Sequence, residues 1–184
     1  MRVLVYGFGP YKRFRENITA KVVKALPRRA ALKRMIFPVR FHRGQFVEAL
    51  KKHKPEIILG LGQSSRRRIQ LETRAKNRRR ASKEDQPRRI SKNGPKWIAT
   101  TLWVKATRQL GKSTNAGDYV CNFSMYVMLD HISRCNSPTA FGFIHIPHGY
   151  NLANARRLVT MILDRCYRPA DKAAARGLQE LLSG

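Results

Sequence analysis

The sequence predicts an α/β fold, an open and mostly parallel twisted sheet with helices on both faces. Three observations lead there. Short, near-continuous apolar runs recur along the 184 residues, each ended by or close to Gly or Pro. Strands buried on both faces, as in parallel sheets, have that appearance. Segments with helix-like apolar spacing lie between the runs. A hydrophobic content of 42% is enough for one substantial core at this length.

The first run, "RVLVYG", opens the chain and reads as a strand, followed by a helix over Asn17–Ala25 that begins "NITA". "RMIFPV" at Arg34–Val39 predicts a second strand, and "GQFVEALKK" a helix over Gly44–Lys52. "EIILGLG" at Glu56–Gly62 predicts the third strand and "AFGFIHIP" at Ala140–Pro147 another. Between those two, Tyr119–Ile132 is apolar along much of its length and reads as a helix. In Asn151–Cys166, Leu152, Ala155, Leu158, Met161 and Ile162 form one helical stripe, and Asp171–Leu182 predicts a terminal helix. "PKWIATTLWVKATRQLG" predicts a short strand leading into a helix. In such a sheet, ligands gather beyond the carboxyl ends of the strands.

Ser64–Lys96 is different, with thirteen basic residues against three acidic ones, and Pro87, Gly94 and Pro95 to break any long element. It predicts a ligand-facing loop and then an exposed excursion, not a second domain. Residues 1–184 therefore read as one domain with a basic loop or hairpin at about 73–96.

Charge is the anomaly: 38 Lys and Arg against 11 Asp and Glu leave +27. Such a field attracts nucleic acid, anionic membrane or acidic ligands whatever the fold beneath it. A membrane partner is not expected, because no run approaches the roughly 18 apolar residues of a spanning helix. The stretch "MRVLVYGFGPYKRF" is not expected to act as a secretory signal, since Gly and Pro interrupt the apolar run early. Three widely spaced cysteines describe neither a disulfide scaffold nor a metal pair, so the expected setting is cytoplasmic, and Cys135 and Cys166 are expected to serve packing.

Cys121 admits two readings. Amid Tyr119, Val120 and Phe123 it can be one more buried thiol. Alternatively, Asn115-Ala-Gly-Asp118 forms a tight turn, and Asn115 or Asp118 caps a helix starting just before the thiol. The unpaired amides and positive dipole end would then favour thiolate and help hold an oxyanion. His145, at the end of an apolar strand, is the candidate base; His148, His42 and His131 are weaker ones. Glu72, among arginines after an Ile69/Leu71 alternation, either neutralises Arg68 or Arg74 or fixes the histidine tautomer. These positions show no metal-ligand spacing, and no metal or cofactor is expected. "YGFGPY" is not GxGxxG, and "GLGQSS" lacks the Lys-Ser/Thr ending of a phosphate loop, which disfavours a nucleotide enzyme.

Four blocks then carry a resemblance: "VLVYGFGPYKRFRENIT" at Val3–Thr19, "GLGQSSRRRIQLETRAKN" at Gly60–Asn77, "STNAGDYVCNFSMYVMLDH" at Ser113–His131 and "GFIHIP" at Gly142–Pro147. In order and approximate separation they resemble the pyroglutamyl peptidase type I, or pyrrolidone-carboxylate peptidase, family of cysteine peptidases. "AGDYVCN" is the most specific of them. The resemblance implies an omega-peptidase that removes N-terminal pyroglutamate from peptides through a thioester, with peptides carrying that residue as partners. It implies Cys121 as nucleophile, His145 as base and acid, and Glu72 as the orienting carboxylate. It places Arg66 near thiol and oxyanion, and Phe8, Tyr11 and Asn17 around the lactam ring. Self-association is expected by resemblance alone. The rival from another class is a basic nucleic-acid or polyanion-binding protein on a peptidase-like fold, supported by +27, two arginine triplets, Trp97 and Trp103. Against it, no zinc finger, glycine-aromatic RNA signature or basic heptad helix is present. A peptidase that also associates non-specifically with polyanions combines the two.

Overall fold

The computed structural model describes residues 1–11, 14–82 and 84–167. Its main sheet has six strands: β1 (Val3–Phe8), β2 (Leu32–Phe37), β3 (Ile57–Ser64), β4 (Ile69–Glu72), β7 (Leu110–Ser113) and β8 (Ala140–Pro147). They lie in the order β2-β1-β3-β8-β4-β7. The first four of that order are mutually parallel, as predicted, while β4 runs antiparallel to β8 and parallel to β7. A separate antiparallel ribbon pairs β5 (Arg74–Lys76) with β6 (Trp97–Ala99).

Strand alternation sorts the side chains into two cores. Val3, Val5, Leu59, Leu61, Ile144 and Ile146 face α1 (Ile18–Ala25) and α4 (Leu152–Tyr167). Leu4, Tyr6, Phe8, Ile58, Phe141 and Phe143 face α2 (Arg43–His53) and α3 (Val120–Arg134). Both faces are therefore covered, and the strands read as unbroken apolar runs for that reason. Asn17 caps α1 by accepting from the Thr19 amide, a contact that stabilises by about 1 kcal/mol. No helix among the described residues is long and apolar enough to cross a membrane.

Four expectations need revision, and one lies out of reach. Part of the segment read as a ligand-facing loop is β4, an interior strand of the main sheet. No helix lies between β6 and β7: Thr100, Thr101, Val104 and Thr107 disfavour one, and the Thr101 and Leu102 amides both donate to the Phe141 carbonyl. α3 has Tyr119 at its N-cap and no side-chain cap bond, because Asp118 is drawn to Arg80 (2.6 Å) and Arg78 (3.6 Å) while Asn115 receives the Gly117 amide. Cys135, expected in packing, is exposed, whereas Cys166 packs at the edge of the α1–α4 core. The terminal helix expected over Asp171–Leu182 lies outside the described residues.

Candidate active site

Four elements converge where β3 and β8 end and α3 begins. β8 turns Phe143 and His145 toward the α3 face, and β4 turns Gln70 and Glu72 the same way, since Ile69 and Leu71 occupy the opposite core. Gln70 lies opposite His145 and Glu72 opposite Phe143, so Glu72 and His145 are diagonal neighbours on one face. Diagonal pairs lie within reach of long side chains. The imidazole Nδ1 meets Glu72 Oε1 at 2.7 Å, with both side chains almost wholly buried.

The thiol arrives from above the sheet, on the first turn of α3. Gly62 pairs in register with His145 and has no side chain at the crossing point. A Cβ there would sit 2.8 Å from Cys121 Sγ, His145 Cδ2 and Phe143 Cε1 alike. Sulfur and ring carbon thus lie within twice that distance of each other. With Nδ1 on Glu72, Nε2 is the ring nitrogen left for the thiol.

The turn feeding α3 depends on Gly117, whose φ of 80° is a conformation that residues with a Cβ rarely adopt. Asn122, the residue after the thiol, is fully buried and locks the helix start to β5. Its Oδ1 accepts from the Lys76 amide at 2.8 Å, and its Nδ2 donates to the Lys76 and Arg78 carbonyls, each at 2.8 Å. With no side-chain cap, the first-turn amides and the positive end of the helix dipole face the region of the thiol.

Two titrating groups are displaced in opposite directions. Burial alone would push His145 down, but hydrogen bonds to Cys121 and Glu72, with the charges they carry, lift it to about 9. Burial alone would raise Glu72, yet its hydrogen bond to His145, that ring's charge, Ser113 and Arg66 hold it below the usual carboxylate range. The arrangement is a nucleophile, a base and a buried orienting carboxylate in series.

The other residues singled out in the sequence take less uniform places. Arg66 donates through Nη1 to Glu72 Oε1 and to Ser113 Oγ, both at 3.0 Å, and also contacts Gln70 and the Asn115 carbonyl. Its described contacts thus gather at the carboxylate end of the series. Asn17 is buried and ties the first loop down by donating to the Gly9 carbonyl at 3.1 Å. Phe8 is buried against Tyr6. Tyr11 reaches the site's rim, with its ring 5.1 Å from that of Tyr119, which in turn meets Phe41 at 5.2 Å. His148 is exposed, with its ring beside Phe14. Among the described residues, no group of three or more His, Cys, Asp or Glu is placed to hold a metal.

Sequence reasoning missed Gly62, Ser113, Gln70, Asn122 and the Tyr119–Phe41 wall. A signal was available for two of them. Gln70 shares the alternation that marks Glu72, and a buried asparagine directly after the thiol is out of place in an apolar helix unless it is hydrogen-bonded.

The family model described as pyroglutamyl peptidase matches residues 1–157. The chain is 30% identical to pyrrolidone-carboxylate peptidase 1 of Saccharolobus solfataricus, over 91% of this chain and 90% of the relative. To the pyrrolidone-carboxylate peptidase of Bacillus subtilis it is 32% identical, over 80% of this chain and 78% of the relative. Its fold superposes on pyrrolidone carboxyl peptidase from Thermococcus litoralis with a TM-score of 0.78 at 20% identity, covering 89% of this chain and 91% of that one. A mutant pyrrolidone carboxyl peptidase from Pyrococcus furiosus gives 0.79 at 22%, covering 89% and 97%.

Proposed function

The chain belongs to the pyroglutamyl peptidase family and removes N-terminal pyroglutamate as a cysteine peptidase, and we infer that Cys121, His145 and Glu72 perform the reaction. The observation that carries this assignment is the 2.7 Å contact between His145 Nδ1 and Glu72 Oε1, with the Cys121 sulfur and the ring's Cδ2 edge converging over Gly62. Cys121 attacks the pyroglutamyl carbonyl as thiolate, and amides at the start of α3 hold the oxyanion. His145 passes its Nε2 proton to the departing peptide amine. It then takes a proton from water, which hydrolyses the thioester and releases pyroglutamate.

Glu72 keeps the ring in the tautomer that presents Nε2 and balances the imidazolium. The contacts of Arg66 support a role through Glu72: its guanidinium shares the carboxylate oxygen with His145 and holds the acid ionised. Tyr11 and Tyr119 offer an apolar wall for the uncharged lactam ring, with Phe8 behind and Asn17 fixing the loop. Release of a fluorescent amine from a pyroglutamyl conjugate tests the assignment. Turnover should be abolished in C121A; a folded C121A that retains turnover would overturn it.

The same reading takes residues 1–184 as one domain acting on peptides with N-terminal pyroglutamate, alone or as a homo-oligomer. Three unbridged thiols support a reducing, cytoplasmic setting. The +27 charge supports a salt-sensitive, non-specific association with polyanions beside the peptidase activity.

A further inference from the structure

The β5–β6 ribbon does not belong to the catalytic series, yet it carries a cavity of its own. Ala75 faces the α3 core, so alternation turns its neighbours Arg74 and Lys76 outward, with Trp97 opposite Lys76 in register. Five cations (Arg74, Lys76, Arg78, Arg89 and Lys96) and Trp97 line about 370 Å³. That volume lies within the range of roughly 300–1,000 Å³ for small-ligand sites. No carboxylate lines the cavity among the described residues.

Three of the five cations are oriented by uncharged acceptors, and the fourth, Arg78, is paired with a carboxylate. Arg74 Nε donates to the Thr114 carbonyl, Lys76 Nζ to Asn115 Oδ1 and Arg89 Nη2 to the Gly94 carbonyl, all uncharged acceptors. Arg78 faces Asp118 at 3.6 Å. Trp97 is 52% exposed, although an indole is costly to leave in water, and the Arg74 guanidinium lies 5.7 Å from its ring centroid. The cavity therefore presents two demands side by side: negative charge for the cations and a flat π-surface for the indole.

We propose that this cavity binds a nucleobase together with its phosphates, the base stacking on Trp97 and the phosphates meeting the surrounding cations. A nucleotide answers both demands at once, whereas an acidic peptide answers only the first. Trp103, although 64% exposed, does not line the cavity and takes no part. None of Cys121, His145 and Glu72 lines the cavity, and the proposal stands independently of the peptidase assignment.

The test follows the anisotropy of fluorescein-labelled octaadenylate, titrated with C121A protein so that no turnover intervenes. W97A should weaken binding about tenfold, W97F should restore most of it, and W103A should leave it unchanged. R89Q/K96Q, which spares the cations tied to the turn before Cys121, should flatten the log–log salt dependence by about 1.4 between roughly 50 and 200 mM. Circular dichroism confirms that each variant is folded. Competition by adenosine 5′-monophosphate assigns the cavity to free nucleotide, and retained strand binding without that competition assigns it to single-stranded nucleic acid; either supports the site. Undiminished binding by W97A, or equal displacement by tripolyphosphate or a pyroglutamyl-triglutamate peptide, would overturn it in favour of a general anion field.

Discussion

At the scale of single residues, the site depends as much on an absent side chain as on those present. Gly62 leaves the gap in which thiol and imidazole meet, and any Cβ there would press on both at 2.8 Å. Flanked by packed Leu61 and Phe143, the strand has no room to retreat. G62A should therefore lower kcat/KM about a hundredfold or more, since small misplacements at a reacting pair are costly, while leaving the protein folded by circular dichroism. Glu72 acts on the same pair through charge. Its carboxylate helps hold His145 at about 9, so the imidazolium that donates to the leaving amine persists to that pH and activity should fall above it. In E72Q the raising influence is lost, His145 drops, and the alkaline limb of the pH–rate profile should move down by about one unit or more. kcat should fall about a hundredfold or more as well, because the amide no longer enforces the productive tautomer. An alkaline limb that stays in place would show that Glu72 does not set it.

Among the elements, α3 and β5 are coupled by one amide. N122A would leave the Lys76 amide and the Lys76 and Arg78 carbonyls without their buried partner, and a loss of about 3 kcal/mol is expected in denaturant titrations. A change below about 0.5 kcal/mol would mean that water replaces the side chain without cost. How much was legible in the sequence follows from the same physics. β1, β3 and β8 were readable because both of their faces are buried, which makes each an unbroken apolar run. β4 was obscured because its α3 face carries Gln70 and Glu72 in place of apolar residues, so four strand residues merged with the arginines before them. β7, "LGKS", has almost no apolar signature and owes its place to pairing with β4. The uncapped start of α3 was hidden for another reason: Asp118 is a good local cap, and only the fold brings Arg78 and Arg80 to compete for it. The sequence suggested Cys121, His145 and Glu72 as candidates, but left each with a bland alternative. Their family roles came from resemblance, and their convergence from the sheet.

For the whole molecule, +27 on 184 residues sets a self-repulsion that the compact state must overcome. Added salt should raise Tm by several degrees from low ionic strength to about 0.3 M, where screening reaches only a few ångströms. A flat or falling Tm would mean that paired charges such as Asp130 with Arg43 and Arg134 outweigh the surplus. The reversed strand β4 has a consequence at this scale. Its ladder with β8 sets which side of the sheet each of its four side chains occupies. Inserting or deleting one residue inside Ile69–Glu72 would swing the acid into the greasy layer beneath and strand the imidazole without its counter-ion. This short segment therefore tolerates exchange of residues but no change in their number.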